Sequence, residues 1–211
     1  MGYAMSIEEI VRQRGIMHLM HFTRVDNLQS ILEYGLIPRA FLNEEQAAFN
    51  DAYRFDNCEN AVCTTIEFPN YKMFYQLRCD NPGTEWAVLR LNAQILTDFD
   101  CAFCQVNAGS AASFTIPLSE RKGADALAKL YAPVVDGVRR SLLIPPSYPT
   151  SPQAEVLVFG TIFPDYIEAV YFEDGETLRF FNKMGYSVHM SVNSALFYGR
   201  ADYKQWQRAD Q

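Results

Sequence analysis

The sequence predicts an α+β fold whose core is a mostly antiparallel β-sheet with helices packed around it. Segments rich in β-branched and aliphatic residues alternate along the chain with segments in which apolar residues recur at helical spacing. No internal repeat and no linker-like stretch divides the 211 residues. Because a chain of this length can bury a sizeable core, residues 5–211 are predicted to form a single domain.

Composition and charge limit the classes of function. Hydrophobic residues make up 49% of the chain and aromatic residues 14%, which is typical of a globular protein and not of a disordered one. The formal net charge of −7 excludes a generally basic nucleic-acid coat protein, although an acidic molecule can still carry a local basic groove. No apolar run approaches the length of a membrane span, so no membrane association is expected.

The cysteines and the first residues bear on where the protein works. Five cysteines, an odd number, are spread along the chain without a secretion signal ahead of them, which favours free thiols in a reducing cytoplasm. Cys101 and Cys104 form a Cys-x-x-Cys pair, but no second pair exists and the three histidines are not at zinc spacing. No metal site is therefore predicted. Residues 1–4 are interpreted as a cloning remnant before a native start at Met5.

The chain begins with a predicted helix and strand. Residues 6–14 form the helix, and serine followed three residues later by glutamate is the pattern of a capping box at its start. A strand is then predicted from the apolar residues Ile16, Met17, Leu19 and Met20, and it ends in His21-x-Thr23. A polar pair at the end of an apolar strand is costly to bury unless it binds something.

A short amphipathic helix is predicted directly after this strand. Asp26 is the expected N-cap, and Gly35 stands where a left-handed residue ends a helix. The apolar stripe of the helix consists of Val25, Leu28, Ile31 and Leu32. The structural alternative for the whole segment is a strand–helix packing unit with a satisfied histidine.

The next elements are predicted from residue type. Residues 43–52 contain good helix formers, and residues 61–68 have the pattern of a strand. Pro69 suits the first turn of a helix over residues 70–77. The β-formers and aliphatic residues at 86–91 predict another strong strand.

The second half of the chain is less regular at first. Residues 101–123 are poorly patterned, which predicts a short strand with loops, and residues 124–131 predict a short helix. The remaining predicted elements are strands at 153–159, 167–172 and 187–192 and a helix at 176–184.

A proline-rich loop precedes the most suggestive carboxylate. Residues 144–152 contain four prolines and therefore form neither helix nor central strand. This stiff surface loop leads into the apolar strand that Glu155 opens. A carboxylate at the start of a strand beside a shaped loop is well placed to meet a ligand, the alternative being a solvent-facing strand end.

Taken together, these segments resemble the DarT family, toxins that ADP-ribosylate bases in nucleic acid. The run His-x-Thr-x-x-x-Asn-Leu-x-x-Ile-Leu-x-x-Gly at residues 21–35 is similar to the first motif of the family. The run Gln-Ala-Glu-Val-Leu-Val at residues 153–158 is similar to its Gln-Ala-Glu-Phe-Leu-Val segment. Residues 69–75 resemble the helix after the second core strand of the family, and residues 54–56 stand where its functional arginine lies.

The resemblance implies an ADP-ribosyltransferase core with a split sheet, and an activity. ADP-ribose would be transferred from NAD to a base in single-stranded DNA, with release of nicotinamide and without a metal. Breaking the nicotinamide–ribose bond creates an oxocarbenium-like centre, which a carboxylate stabilises. Glu155 is the candidate carboxylate. Arg54 is the candidate arginine that pairs with the pyrophosphate or orients the glutamate.

The resemblance also implies which residues bind NAD. His21 and Thr23 would hydrogen-bond the adenosine ribose and the nicotinamide side. Asn27 ties the strand end to the helix start, and a direct contact with NAD is the second interpretation. An aromatic ring commonly stacks on nicotinamide, and Tyr75 is the candidate, with Tyr71 behind it. Core packing is the alternative role for both tyrosines.

A base-modifying enzyme has to reach an unstacked base, so it needs cations along a strand and aromatic platforms. The candidates for these contacts are Arg39, Lys72, Arg78, Arg139, Arg140 and Tyr148. A solvated surface is the alternative for each. The family context implies an antitoxin partner, often a macrodomain hydrolase. A guanine or RNA acceptor, a non-catalytic NAD-binding module and an interaction domain are the competing interpretations.

Overall fold

A mainly antiparallel sheet forms the centre of the computed structural model, which describes residues 5–42, 58–110, 113, 115–133 and 142–207. The strands in these segments are β1 His18–Arg24, β2 Ala61–Ile66, β3 Trp86–Asn92, β4 Cys101–Cys104, β5 Glu155–Phe159, β6 Ile167–Phe172 and β7 His189–Val192. They lie in the order β4-β5-β2-β1-β3-β6-β7. Among these described strands, β6 and β7 alone run parallel. The predicted α+β class is confirmed.

Helices in the described segments cover the sheet. They are α1 Ile7–Arg14, α2 Leu28–Tyr34, α3 Tyr71–Asp80, α4 Ile95–Asp98, α5 Gly123–Lys129, α6 Gly175–Asn182 and α7 Tyr203–Gln207. The predicted capping box at the start of α1 is present in both directions, between Ser6 and Glu9.

Successive residues of a strand point to opposite faces of the sheet, and both faces carry a buried core. The larger core lies on one face and joins the sheet to α1, α2, α5 and α6; its members include Ile10, Leu19, Leu28, Leu89, Leu127, Val156 and Phe181. On the opposite face α3 packs Phe74 against Phe22, with ring centroids 4.5 Å apart, and against Trp86 at 5.6 Å. The sheet is therefore fixed from both sides.

The sheet opens between its two central strands. β1 pairs along its whole length with β3, but it pairs with β2 only where Leu19 faces Ile66 and Met20 faces Thr65. Beyond Met20 the backbones of β1 and β2 no longer pair. The split that the family resemblance implied is thus present, and it begins just before His21.

The start of α2 differs from its prediction. Asp26 is not an N-cap, since residues Val25–Asn27 form a 3₁₀ turn and α2 begins at Leu28 without a side-chain cap. The physical reason is that the Val25 N–H already donates to the Glu85 carbonyl at 2.9 Å. The Glu85 carbonyl satisfies the Val25 N–H, so this N–H does not need the Asp26 side chain as a hydrogen-bond acceptor.

Gly35 ends α2 at a positive φ, but outside the left-handed helical region. Its φ is 91° and its ψ is −177°. A Cβ atom at Gly35 would lie 2.3 Å from the Ile162 carbonyl oxygen, because Leu36 and Ile162 exchange backbone hydrogen bonds beside it. Gly35 is therefore required by both conformation and space.

The other predicted elements agree in kind and differ at their ends. The helix after β2 begins at Tyr71, and its N-cap is Asn70, whose side-chain oxygen accepts the Met73 N–H at 3.3 Å. Pro69 therefore lies before the helix and not in its first turn. The helix predicted at 43–52 lies outside the described residues.

Candidate active site

Glu155 is a buried carboxylate that accepts hydrogen bonds from three donors in the described part of the chain. It opens β5, and only 5% of its surface is exposed. Its Oε1 accepts from the side-chain amides of Asn70, at 3.0 Å, and Asn107, at 3.2 Å, and its Oε2 accepts from the Ala108 N–H at 2.8 Å. The carboxylate is thus held in one orientation, and the alternative of a solvent-facing strand end is wrong for this side chain.

The donors to Glu155 are themselves fixed. Asn70 is 1% exposed, and because its side-chain oxygen caps α3, its amide nitrogen is turned toward Glu155. The Asn107 oxygen accepts from the Gly109 N–H at 2.9 Å, which orients the Asn107 amide in the same way. Sequence reasoning missed both donors as site residues. An asparagine at a helix start was a usable signal for Asn70, whereas Asn107 lies in a segment without a pattern.

His21 lies where β1 and β2 separate. Its Nδ1 is 2.8 Å from the Cys63 carbonyl oxygen on β2. A carbonyl oxygen only accepts, so Nδ1 carries a proton in this contact. The imidazole therefore bridges the split between β1 and β2.

Thr23 and Asn27 bind each other at the junction of β1 and the 3₁₀ turn. The Asn27 amide donates to the Thr23 hydroxyl at 3.2 Å, and Thr23 is 2% exposed. This contact ties the strand end to the start of the helix, which is the structural role expected for Asn27. By strand alternation Thr23 lies on the face of the large core, and Glu155 lies on the face that α3 covers.

The two tyrosine candidates lie on α3. Tyr71 and Tyr75 both line a cavity of about 820 Å³, whose lining does not include His21, Thr23 or Glu155. Tyr75 is 66% exposed, and a hydrogen bond with Cys79 raises the pKa of its phenol. The core-packing alternative is therefore wrong for Tyr75. The structure brings Tyr71 close to the Glu155 region through its neighbour Asn70.

The candidate nucleic-acid contacts have different environments. Arg78 donates to the Phe197 carbonyl at 2.7 Å and pairs with Glu173 at 2.5 Å. These two interactions hold part of its guanidinium against the protein, and its role as a phosphate contact stays a prediction. Arg39 lies in a 3₁₀ turn, and Lys72 lines the cavity beside α3.

Of the four remaining predicted site residues, the structure describes Tyr148. Tyr148 is partly buried, with its ring 6.2 Å from that of Phe68, and burial raises the pKa of its phenol. Arg54, Arg139 and Arg140 lie outside the described residues.

The proline-rich loop is fixed by contacts from the middle of the chain. The Tyr131 hydroxyl donates to the Ser147 carbonyl at 3.1 Å, and the Thr150 N–H donates to the Leu130 carbonyl at 2.9 Å. Residues 144–152 are therefore tied to the end of α5, as well as being stiffened by proline.

A buried ion pair near the end of the described chain also holds this loop. Arg200 and Asp202 form two contacts, at 2.7 and 2.6 Å, and their side chains are 3% and 0% exposed. The same guanidinium donates to the carbonyls of Pro149 and Thr150, both at 2.9 Å, and Asp202 also accepts from the Trp206 indole at 2.8 Å. No sequence pattern singled out this pair.

Comparison with known proteins identifies the family. A family model described as "ssDNA thymidine ADP-ribosyltransferase, DarT" matches residues 20–197. The chain belongs to the DarT family. The resemblance seen in the sequence is confirmed, and with it the class of NAD-dependent ADP-ribosyltransferase. The family description names thymidine, which favours it over the guanine and RNA alternatives.

Solved DarT structures share the fold. Thermus sp. 2.9 DarT in complex with carba-NAD+ is 17% identical with a TM-score of 0.60, and the match covers 86% of this chain and 97% of that one. Thermus sp. 2.9 DarT in complex with ADP-ribosylated ssDNA is 15% identical with a TM-score of 0.59, over 87% and 97%.

A longer structure is also similar. Thermosipho africanus DarTG in complex with ADP-ribose is 19% identical with a TM-score of 0.58 over 85% of this chain. The chain spans 50% of the length of that protein. In the comparison with curated proteins, nothing matches.

The described segments also bear on metal binding and on membrane insertion. Within the described segments, no group of three or more His, Cys, Asp or Glu side chains is arranged to hold a metal ion. None of the helices described there combines the length and the apolar character that crossing a bilayer requires.

Proposed function

We propose that this chain transfers ADP-ribose from NAD to the base of thymidine in single-stranded DNA and releases nicotinamide. The observation that carries the proposal is the Glu155 carboxylate, buried and oriented by three donors, in the segment that matches the family motif. A binding module has no need for a fixed carboxylate near the ribosyl centre. The non-catalytic alternative is therefore less consistent with this geometry.

The chemistry follows from charge. As the bond between nicotinamide and ribose breaks, positive charge develops on the ribose, and an oriented carboxylate stabilises that charge without having to reorganise. A ring nitrogen of the base forms the new bond to the ribose carbon and loses its proton, and nicotinamide leaves with the bonding electrons. Glu155 is the proposed stabilising group and the proposed acceptor of that proton.

Other residues are proposed to hold NAD. The imidazole of His21, protonated at Nδ1, is proposed to accept a hydrogen bond from a ribose hydroxyl at Nε2. Thr23 and Asn27 shape the end of β1 beside it. Tyr71 is proposed in place of Tyr75 as the ring beside nicotinamide, because Tyr71 directly follows Asn70, which donates to Glu155. Arg54 is proposed to pair with the pyrophosphate.

Mass spectrometry of oligonucleotides tests the proposal. The protein is incubated with NAD and single-stranded DNA with or without thymidine, and with RNA of matching sequence. We expect the mass of one ADP-ribose to be added only to the thymidine-containing DNA. An adduct on thymidine-free DNA or on RNA, or none on any strand, contradicts the proposal.

We propose that a macrodomain-type hydrolase acts as antitoxin, and that both work in the cytoplasm. The similarity to a protein named DarTG and the five free cysteines support this context. If the assignment is right, such a hydrolase removes the adduct from modified DNA. An adduct that survives this treatment contradicts it.

A further inference from the structure

The cavity beside α3 is large and aromatic. It measures about 820 Å³, within the range of pockets that hold small molecules, and lies between α3 and residues 197–203. Its aromatic lining consists of Tyr71, Tyr75, Trp86, Phe197, Tyr198 and Tyr203.

Three of these rings are open to solvent. Tyr75 is 66% exposed, Tyr198 61% and Tyr203 37%, whereas Phe197 between them is 3% exposed and anchors the segment. Clustered exposed aromatics mark recognition surfaces, because their apolar faces gain from being covered and their hydroxyls tolerate water.

The exposed rings stand on a rigid support. The buried ion pair of Arg200 and Asp202 lies between Tyr198 and Tyr203 in the chain and is bonded to the proline-rich loop. A Cβ atom at Gly199 would lie 3.0 Å from the Tyr203 Cβ, so the lack of a side chain lets Tyr203 pack closely there. A platform that is fixed before binding loses little entropy on binding.

Carboxylates outnumber cations among the charged residues of the lining, which are Glu85, Glu173 and Asp174 against Lys72 and Arg78. Glu173 is paired with Arg78 at 2.5 Å. Asp174 accepts the Glu176 N–H at 2.8 Å, and Glu85 accepts the Thr177 hydroxyl at 3.1 Å. This excess of negative charge disfavours phosphate, so the cavity suits uncharged planar rings with polar edges, such as nucleobases, while the phosphates stay outside.

Two chain connections link the cavity to the candidate active site. Tyr71 in its wall directly follows Asn70, which donates to the Glu155 carboxylate. Arg200, one residue after the cavity-lining Gly199, holds the carbonyl of Thr150 five residues ahead of Glu155. A DNA strand that continues from an acceptor base at Glu155 along α3 would reach this platform.

We propose that the cavity lined by Tyr75, Tyr198 and Tyr203 is a stacking subsite for bases of the single-stranded DNA that flank the modified base. This inference rests on the proposed function and adds to it the place where the rest of the substrate binds. Stacking on aromatic rings is tolerant of sequence, so the subsite raises affinity for longer strands without reading them.

Single-site variants test the subsite in two assays. Tyr198→Ala is compared with Tyr198→Phe, which keeps the ring, and with Phe180→Ala, which removes a ring of similar exposure outside the cavity lining. Anisotropy of a labelled single-stranded oligonucleotide reports binding without NAD. Transfer kinetics on a long strand and on a trinucleotide report KM for DNA and for NAD.

We expect Tyr198→Ala to weaken binding of the long strand about tenfold, because one stacking platform is lost, and to leave the trinucleotide and the KM for NAD unchanged. The slope of affinity against salt stays the same, since no phosphate contact is removed. Tyr198→Phe and Phe180→Ala bind as the wild type does.

Two results overturn the subsite. Unchanged binding of the long strand by Tyr198→Ala shows that the ring is not a platform, and a raised KM for NAD assigns the cavity to NAD. Absence of transfer by the wild type contradicts the proposed function instead, and the anisotropy comparison still decides whether the subsite exists.

Discussion

The Glu155 carboxylate receives donors from two places in the fold, the Asn70 side chain at the start of α3 and the loop after β4, which supplies the Asn107 side chain and the Ala108 N–H. A carboxylate group can rotate about its terminal C–C bond, and donors to both of its oxygens prevent that rotation. Orientation of this group decides whether its charge faces the breaking bond.

Removing one donor is therefore expected to slow the chemical step. Asn107→Ala deletes the 3.2 Å hydrogen bond to Oε1 and leaves the other two. A hydrogen bond to a charged group contributes about 1.5–3 kcal/mol, so we expect kcat to fall roughly 10- to 100-fold. The KM for NAD should stay unchanged. Transfer kinetics measure kcat for Asn107→Ala and for the control Asn60→Ala, which changes an exposed asparagine. An unchanged kcat in Asn107→Ala contradicts the role of Asn107 in orienting Glu155.

His21 and His18 provide a matched pair on one strand. His21 bridges the split to Cys63, whereas His18 pairs with Glu168 at 2.9 Å. We expect His21→Ala to weaken NAD binding about tenfold, the effect of one hydrogen bond to the ligand, and His18→Ala to leave it unchanged. Titration calorimetry with NAD measures both. Equal affinities for the two variants would remove His21 from the NAD site.

Prediction of single residues from the sequence depended on local motifs. Glu155 and His21 stand in short runs that resemble family motifs, so they were singled out. Asn107 lies in an irregular loop, and its role depends on how β4 lies beside β5. Arg200 and Asp202 bond across the molecule to a loop that is distant in sequence, and no periodicity indicates such a contact.

At the level of elements, two glycines with positive φ differ in what surrounds them. Gly15 has φ +66° with nothing within 4 Å of a Cβ, whereas a Cβ at Gly35 meets Ile162. We expect Gly15→Ala to lower the free energy of unfolding by about 1 kcal/mol, from backbone strain alone, and Gly35→Ala by about 3 kcal/mol or more, because the clash adds to the strain. Thermal unfolding compares them, and equal shifts in Tm refute the steric account.

The ion pair that holds the proline-rich loop gives a second prediction for an element. Asp202→Ala leaves Arg200 buried without its counter-charge, so we expect a loss of about 3–5 kcal/mol in the free energy of unfolding. The double variant Arg200→Met with Asp202→Leu removes both charges and should recover most of that loss. Urea unfolding measures both proteins. A single variant as stable as the wild type would show that the pair does not hold the loop.

The elements themselves were largely predictable, and their ends were not. Hydrophobic periodicity and residue type indicated the strands and helices in the right order. The start of α2 was misplaced because Val25 donates to Glu85 on another segment, a tertiary contact that replaces the local cap. Local signals therefore predict an element better than they predict where it begins.

For the whole molecule, the split between β1 and β2 is the feature that organises the site. His21 lies in the opening, and Glu155 lies on β5, directly beyond β2. The net charge of −7 opposes binding of a DNA backbone over the molecule as a whole, which is consistent with binding through bases on exposed rings. The sequence implied the split only through the family resemblance, because the residues of a single strand do not determine how far it pairs with its neighbour.

The most direct test of this account is Glu155→Gln, with NAD binding and DNA modification measured on the same protein. The amide keeps the size of the side chain and removes its charge, so we expect transfer to thymidine-containing DNA to fall at least 100-fold. NAD at 100 times its dissociation constant should still stabilise the variant by about 2.7 kcal/mol, as it does the wild type. Transfer by Glu155→Gln at the wild-type rate would contradict the central claim.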